Sequence, residues 1–123
     1  ARADLLAYQK KNEEALEILD DLLDQHKGER IEDEALLMHG RLLEEKGDYS
    51  AARLSYMKII EFFGQDILAD DAHFALAELY RKHLDDPEKA MEHYREIIFG
   101  FQDSYYFPEA RRQFRILRGD PVN

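Results

Sequence analysis

Apolar residues return along this chain every three or four positions, in runs broken by short polar turns. Between Asp33 and Gly64 the rhythm is plain. Leu36, Leu37, Gly40 and Leu43 recur at helical spacing, Gly47-Asp48 interrupts them, and Ala52, Tyr56, Ile59, Ile60 and Phe63 then fall on one side of a second run. The spacing predicts a helix, a tight turn and a second helix. Gly40 and Ala52 lie 12 positions apart, one in each helix. Side chains that small let two backbones come close, and Tyr56 can fill the space beside them.

The arrangement repeats. Copies begin at Ala35, Ala72 and Ala110, at intervals of 37 and 38 residues. In the next copy Ala77 stands for Gly40, Tyr80 for Leu43, Ala90 for Ala52, Tyr94 for Tyr56 and Ile97 for Ile59. Its turn is Asp85-Asp86-Pro87-Glu88, with Asp86 suited to cap a helix that Pro87 opens. One extra residue near His83-Leu84 lengthens that turn or adds a bulge. Shifted backward, Ala3, Leu6, Ala15, Leu19 and Leu22 take the same slots, which predicts a turn at Lys10-Lys11-Asn12 with Asn12 as the cap. In the last copy Arg115 occupies the small-residue slot. A charged side chain of that size is too costly to bury between helices. The copy is therefore a terminal helix with a polar outer face, ended by Gly119-Asp120-Pro121. The linkers Phe62-Phe63-Gly64-Gln65-Asp66 and Phe99-Gly100-Phe101-Gln102-Asp103 each carry a glycine suited to a left-handed helix end.

A period of this length built from helical pairs predicts an all-α solenoid. The expected organisation is one domain over 1–123. A partly truncated hairpin spans 1–27, hairpins follow at 32–64 and 68–101, and a capping helix spans 105–118. The chain opens inside a helical pattern with no cap before Ala1, which predicts that it continues upstream.

Composition narrows the function. Of 123 residues 45% are hydrophobic and 36% charged, enough for a core and a well-solvated surface, and six Gly and three Pro argue against a β-sandwich. The net charge of −10 disfavours nucleic acid, which needs clustered Lys and Arg. No apolar run approaches the roughly 20 residues that span a bilayer. Cysteine is absent, which removes disulfides and thiolate chemistry and leaves the compartment open.

The residues Gly40, Gly47-Asp48-Tyr49, Ala52 and Tyr56, with Ala77, Tyr80, Ala90 and Tyr94 in the following copy, resemble the tetratricopeptide repeat. The resemblance covers almost the whole chain. It implies a right-handed superhelical array of antiparallel hairpins whose first helices line a concave groove. It implies a non-enzymatic scaffold for a protein or peptide partner, with no cofactor and no catalytic or metal residues. By the family's register the groove residues are Glu34, Leu37, Arg41 and Glu44 in one copy, Asp71, Phe74, Glu78 and Arg81 in the next, and Glu109 and Arg112 in the cap, with Asp4 and Ala7 beginning the row. Leu37 and Phe74 would anchor an apolar side chain, and the arginines could fork onto a carboxylate. The same charges are also placed to pair across helices, Arg41 with Glu78 and Glu44 with Arg81. The family's Lys and Asn clamp for chaperone tails is missing. The ending, from Tyr105-Tyr106-Phe107-Pro108 to Gly119-Asp120, is similar to the C-terminal ends of long bacterial members. Many of those are exported, which leans localisation toward a bacterial cell envelope or periplasm.

Other functions compete with this reading. The array could be the structural end of a longer solenoid. It could also self-associate through uncovered N-terminal helices around Leu5, Leu6 and Leu16, and the first 48 residues hold 14 acids against 7 bases. Arg111, Arg112, Arg115 and Arg118 form a basic cluster that suits a helix C-terminus and could also meet an acidic partner. A metal-binding or hydrolytic accessory role is the distant alternative. Its material would be Asp70, Asp71 and His73, but there is no HExxH motif, phosphate loop or Ser-His-Asp order. His73 is expected to pack at the hairpin interface instead.

Overall fold

The computed structural model describes residues 2–25, 31–64 and 67–120, with side chains from residue 9 onward, Ile31 excepted. Among these residues the chain forms six helices and no strand: α1 (Arg2–Gln25), α2 (Ile31–Lys46), α3 (Tyr49–Phe63), α4 (Ala69–Lys82), α5 (Pro87–Gly100) and α6 (Phe107–Arg118). Each helix packs chiefly on the ones before and after it in the chain. The fold is thus an all-α array, with α1 at one end and α6 at the other.

The turns follow from local chemistry. Gly47 takes φ +89°, and the N–H groups of Gly47 and Asp48 donate back to the carbonyls of Glu44 and Leu43. That pair of bonds satisfies two carbonyls that α2 would otherwise leave open. Asp48 then accepts from the Ala51 N–H, which starts α3. At the next turn Asp86 accepts from the Lys89 N–H at 3.1 Å and Pro87 opens α5, as its sequence predicts. This turn spans His83–Asp86, and in it His83 stacks on Tyr49 at the start of α3, ring centres 4.0 Å apart.

Small residues set the helix spacing. Ala52, Ala77, Ala90 and Ala110 are fully buried, as are Tyr56, Tyr94, Ile59 and Ile97. A methyl group added at Gly40 would sit 2.4–2.8 Å from the Tyr56 ring, so the ring lies directly on the glycine. Arg115 is exposed on α6, as its charge requires.

Three local expectations are corrected. There is no turn at Lys10-Lys11-Asn12, because α1 runs unbroken from Arg2 to Gln25. No Gly or Pro interrupts that stretch, so the helix has no reason to stop. Asn12 does not cap but donates to Glu45 on α2, at 3.1 Å. Gly64 is right-handed at φ −64° and Gly100 ends α5 inside the helix, so neither is a left-handed cap. Gly64 is suited sterically instead, since an added methyl would meet the Ile60 carbonyl at 2.6 Å. The third correction is Leu37. It is 6% exposed and belongs to the core, which removes it as a groove anchor. Because α2 is sandwiched between α1 and α3, its apolar arc is wide enough to take in both Leu36 and Leu37.

Candidate functional site

The first helices of the hairpins carry an Arg and a Glu three positions apart, in opposite order: Arg41 and Glu44 on α2, Glu78 and Arg81 on α4. A buried tyrosine from the second helix reaches each pair. On α4 the Tyr94 hydroxyl donates to Glu78 Oε1 at 2.8 Å and accepts from Arg81 Nε at 3.0 Å. Arg81 and Lys82 also hold Glu78 Oε2, at 2.7 and 2.8 Å. Burial alone would raise the Glu78 pKa, but the bonds from Lys82 and Tyr94 and the Arg81 charge outweigh it and hold the carboxylate below its usual range. On α2 the Tyr56 hydroxyl donates to Glu44. Both tyrosines are pushed well above their ordinary pKa, by burial first and then by the carboxylate beside them for Tyr56, with Arg81 partly opposing the rise for Tyr94. The expected pairs Arg41–Glu78 and Glu44–Arg81 therefore do not form. Glu78 and Arg81 pair with each other and with Tyr94 instead, and Glu44 is taken by Tyr56.

Phe74, on the same helix as Glu78 and Arg81, is half-buried. It stacks on Tyr106 at 4.4 Å and meets Tyr94 edge-on at 6.1 Å. The Tyr106 hydroxyl donates to Asp71 at 2.7 Å, and Ser104 donates to Asp70 at 2.6 Å, which fastens the segment before α6 onto α4. The Tyr106 hydroxyl is pushed up to about 12 by burial and then by Asp71, while the nearby Arg41 charge opposes the rise. Phe74 of α4 and Tyr106 thus share one face, and the charge of Arg41 on α2 acts on it. Arg112 is exposed and pairs with Glu109 on its own helix at 3.1 Å. Asp4 and Ala7 lie outside the described side chains. Tyr106 is not among the groove residues that the family's register gives. Its signal was the slot before Ala110 that Leu68 fills before Ala72.

Two clefts open elsewhere, at corresponding places in successive copies. The first, about 650 Å³, lies among α1, α2 and α3, with Leu23, Leu36, Phe62 and Phe63 as apolar lining and Asp20, Asp24 and Glu32 at its edge. In it His39 bridges three helices, with Nε2 2.8 Å from Asp20 Oδ1 and Nδ1 2.7 Å from Ser55 Oγ. One neutral tautomer satisfies both contacts, donating to Asp20 and accepting from Ser55. No periodic cue joins three residues from three helices, so the sequence did not reveal them. Ser55 is buried in mid-helix, where neighbouring N–H groups are spent on helix bonds and cannot stabilise an oxyanion. The trio pins helices together.

The second cleft, about 450 Å³, is lined by Ile60, His73, Glu92, His93, Glu96 and Phe101. The Nδ1 atoms of His73 and His93 approach to 3.1 Å, so one donates to the other. Both imidazoles are held below their usual pKa by burial first, His93 down to about 4. His73 packs between α4 and α5 as expected. Among the described residues no group of three His, Asp or Glu side chains could hold a metal ion, and no helix is long and apolar enough to cross a membrane.

Two family models, both described as tetratricopeptide repeat, match residues 1–67 and 71–98. No curated protein and no solved structure is significantly similar to the chain.

Proposed function

Since the chain belongs to the tetratricopeptide repeat family, whose repeats are generally protein–protein interaction modules, we propose that it is a non-enzymatic scaffold holding a partner segment against the face built by α2, α4 and the start of α6. The observation that carries this reading is the Arg41–Phe74–Tyr106 surface flanked by Glu44, Glu78 and Arg81. Such a face suits an extended segment with one apolar side chain over Phe74 and Tyr106. Acidic groups of the segment meet Arg41, and basic groups meet Glu44. Because Tyr56 and Tyr94 hold the flanking charges in one orientation, binding loses little side-chain entropy. Leu37 is buried and is left out of the proposed contact set.

A display selection of peptides tests the reading. Peptides selected on the native chain should lose at least tenfold in affinity when Phe74→Ala is combined with Arg41→Ala, with helical circular dichroism unchanged. Equal binding by the double variant would remove this face from the function. A second copy of the chain is also among the partners this reading admits, through surfaces near α1.

A further inference from the structure

His73 of α4 and His93 of α5 meet across their hairpin nitrogen to nitrogen, Nδ1 to Nδ1 at 3.1 Å. The contact is sound for a neutral pair, in which one Nδ1–H donates and the other Nδ1 accepts. A first proton can enter at Nε2 of the donating ring and leave that bond in place. A second must land on the accepting Nδ1. Two N–H groups and two positive charges then face each other where a hydrogen bond had been. The surroundings give little relief. Tyr80 stacks on the His93 ring at 5.8 Å, and Phe101 lies 5.9 Å from the His73 ring. Burial, the largest influence on both rings, disfavours their charged forms. Beyond it, Glu96 and Asp70 favour a proton on His73, while the His73 charge and Lys89 oppose one on His93. Glu92 also lines the cleft, α3 lends it only the uncharged Ile60 and Gly64, and α6 supplies none of its described lining. The second proton is thus the costly one, and it falls on His93.

We propose that the His73–His93 contact is an acid-operated latch on the partner face: when both rings take up protons, α4 and α5 part and the partner segment is released. The latch presupposes the partner face proposed above. Adjacency couples the two. His73 immediately precedes Phe74, and His93 immediately precedes Tyr94. Tyr94 reaches back across the hairpin to Glu78 and Arg81, and its ring meets Phe74 edge-on at 6.1 Å. Parting the helices at the histidines therefore strips the tyrosine of its bonds and draws Phe74 away from Tyr106, on which it stacks. Once open, both rings regain their ordinary pKa, so the open hairpin binds more protons and gains population as pH falls. The matching slots of α2–α3 hold Leu36 and Ser55, so that hairpin has no such pair and serves as an internal reference.

Amide hydrogen exchange on the chain alone reads the latch, as protection factors corrected for the intrinsic change of rate with pH. With His93 held down to about 4 while closed, protection across α4 and α5 should fall about twentyfold from pH 7 to pH 5 through this ring alone. Across α2 and α3 it should fall by no more than about threefold. His93→Gln keeps a hydrogen-bonding side chain that cannot charge, and should remove most of the fall. A histidine-free peptide selected on the native chain at pH 7 reads the coupling. It should bind at least about tenfold more weakly at pH 4.5, and by no more than about threefold more weakly to His93→Gln. If His93→Gln fails to fold, His73→Gln takes its place with the same expectations. Unchanged protection across α4 and α5, an equal fall across α2 and α3, or an equal fall in the variant would each overturn the latch. So would a peptide that stays bound in acid while α4 and α5 open. If no selected peptide depends on Phe74 and Arg41, the partner face fails, and exchange by itself decides whether the histidines open the hairpin.

Discussion

In α2–α3 the tyrosine of the second helix lies across a glycine, while in α4–α5 the matching tyrosine sits in a hairpin whose small slot holds an alanine. Tyr56 answers one carboxylate, and Tyr94 bridges a carboxylate and a guanidinium. Behind them the slot of Ser55 becomes His93, and the slot of Leu36 becomes His73. The packing frame is kept while the chemistry hung on it changes sign and polarity. Small and aromatic slots are fixed because helix spacing depends on them to fractions of an ångström. The polar slots need only a satisfied partner, so each repeat is free to acquire its own recognition surface.

The largest expected difference comes from the small slots. Gly40→Ala should cost about 2–3 kcal/mol in urea unfolding, because the new methyl overlaps a buried ring. The reciprocal change, Ala77→Gly, should cost only about 1 kcal/mol, chiefly from helix propensity. Equal costs would mean that both tyrosines pack alike.

Next comes pH. His93 titrates at about 4 in the folded chain against an ordinary 6.5. Between those values the unfolded chain binds more protons, so stability is full above the higher value and lost as pH falls through the window. Unfolding free energy should drop by about 2 kcal/mol from pH 7 to pH 5 through this group. His93→Gln should reduce that slope, leaving the share of His73, which burial also holds below its usual range. Persistence of the full slope in His93→Gln would move the effect to another group.

A smaller contrast separates the hydroxyls. Tyr94→Phe should cost about 1–2 kcal/mol, because it strips a bond from both Glu78 and Arg81, and Tyr56→Phe about 1 kcal/mol, since one bond is lost. Least of all, Tyr105→Ser and Ile67→Ser should each stay within about 0.5 kcal/mol. Both residues occupy the same linker slot and are 90% and 88% exposed.

What the sequence made legible was local. Gly47-Asp48 and Asp86-Pro87 announce turns by their own conformational needs, and the small and tyrosine slots announce a helical pair by their spacing. Lys10-Lys11-Asn12 misled because repeat register predicted a break where the residues themselves are content in a helix. Leu37 misled because a family register does not report how many neighbours a helix has. Of the proposed site, the register alone put Arg41, Glu44, Phe74, Glu78 and Arg81 on the first helices of their hairpins, where the structure has them on α2 and α4. Their partners were not legible. Tyr106 over Phe74, His39 between Asp20 and Ser55, and His73 against His93 all depend on how faces of separate helices meet, which leaves no periodic trace.

Since each described helix finds its main supports immediately before and after it along the chain, the polypeptide builds most of its packing from segments that are neighbours in sequence. Any neighbouring pair can serve as a seed from which order spreads in both directions. Chains dominated by contacts so near in sequence reach their final form in microseconds to milliseconds. Damage is contained in the same manner: a flaw in one pair loosens its neighbours before it reaches the far end.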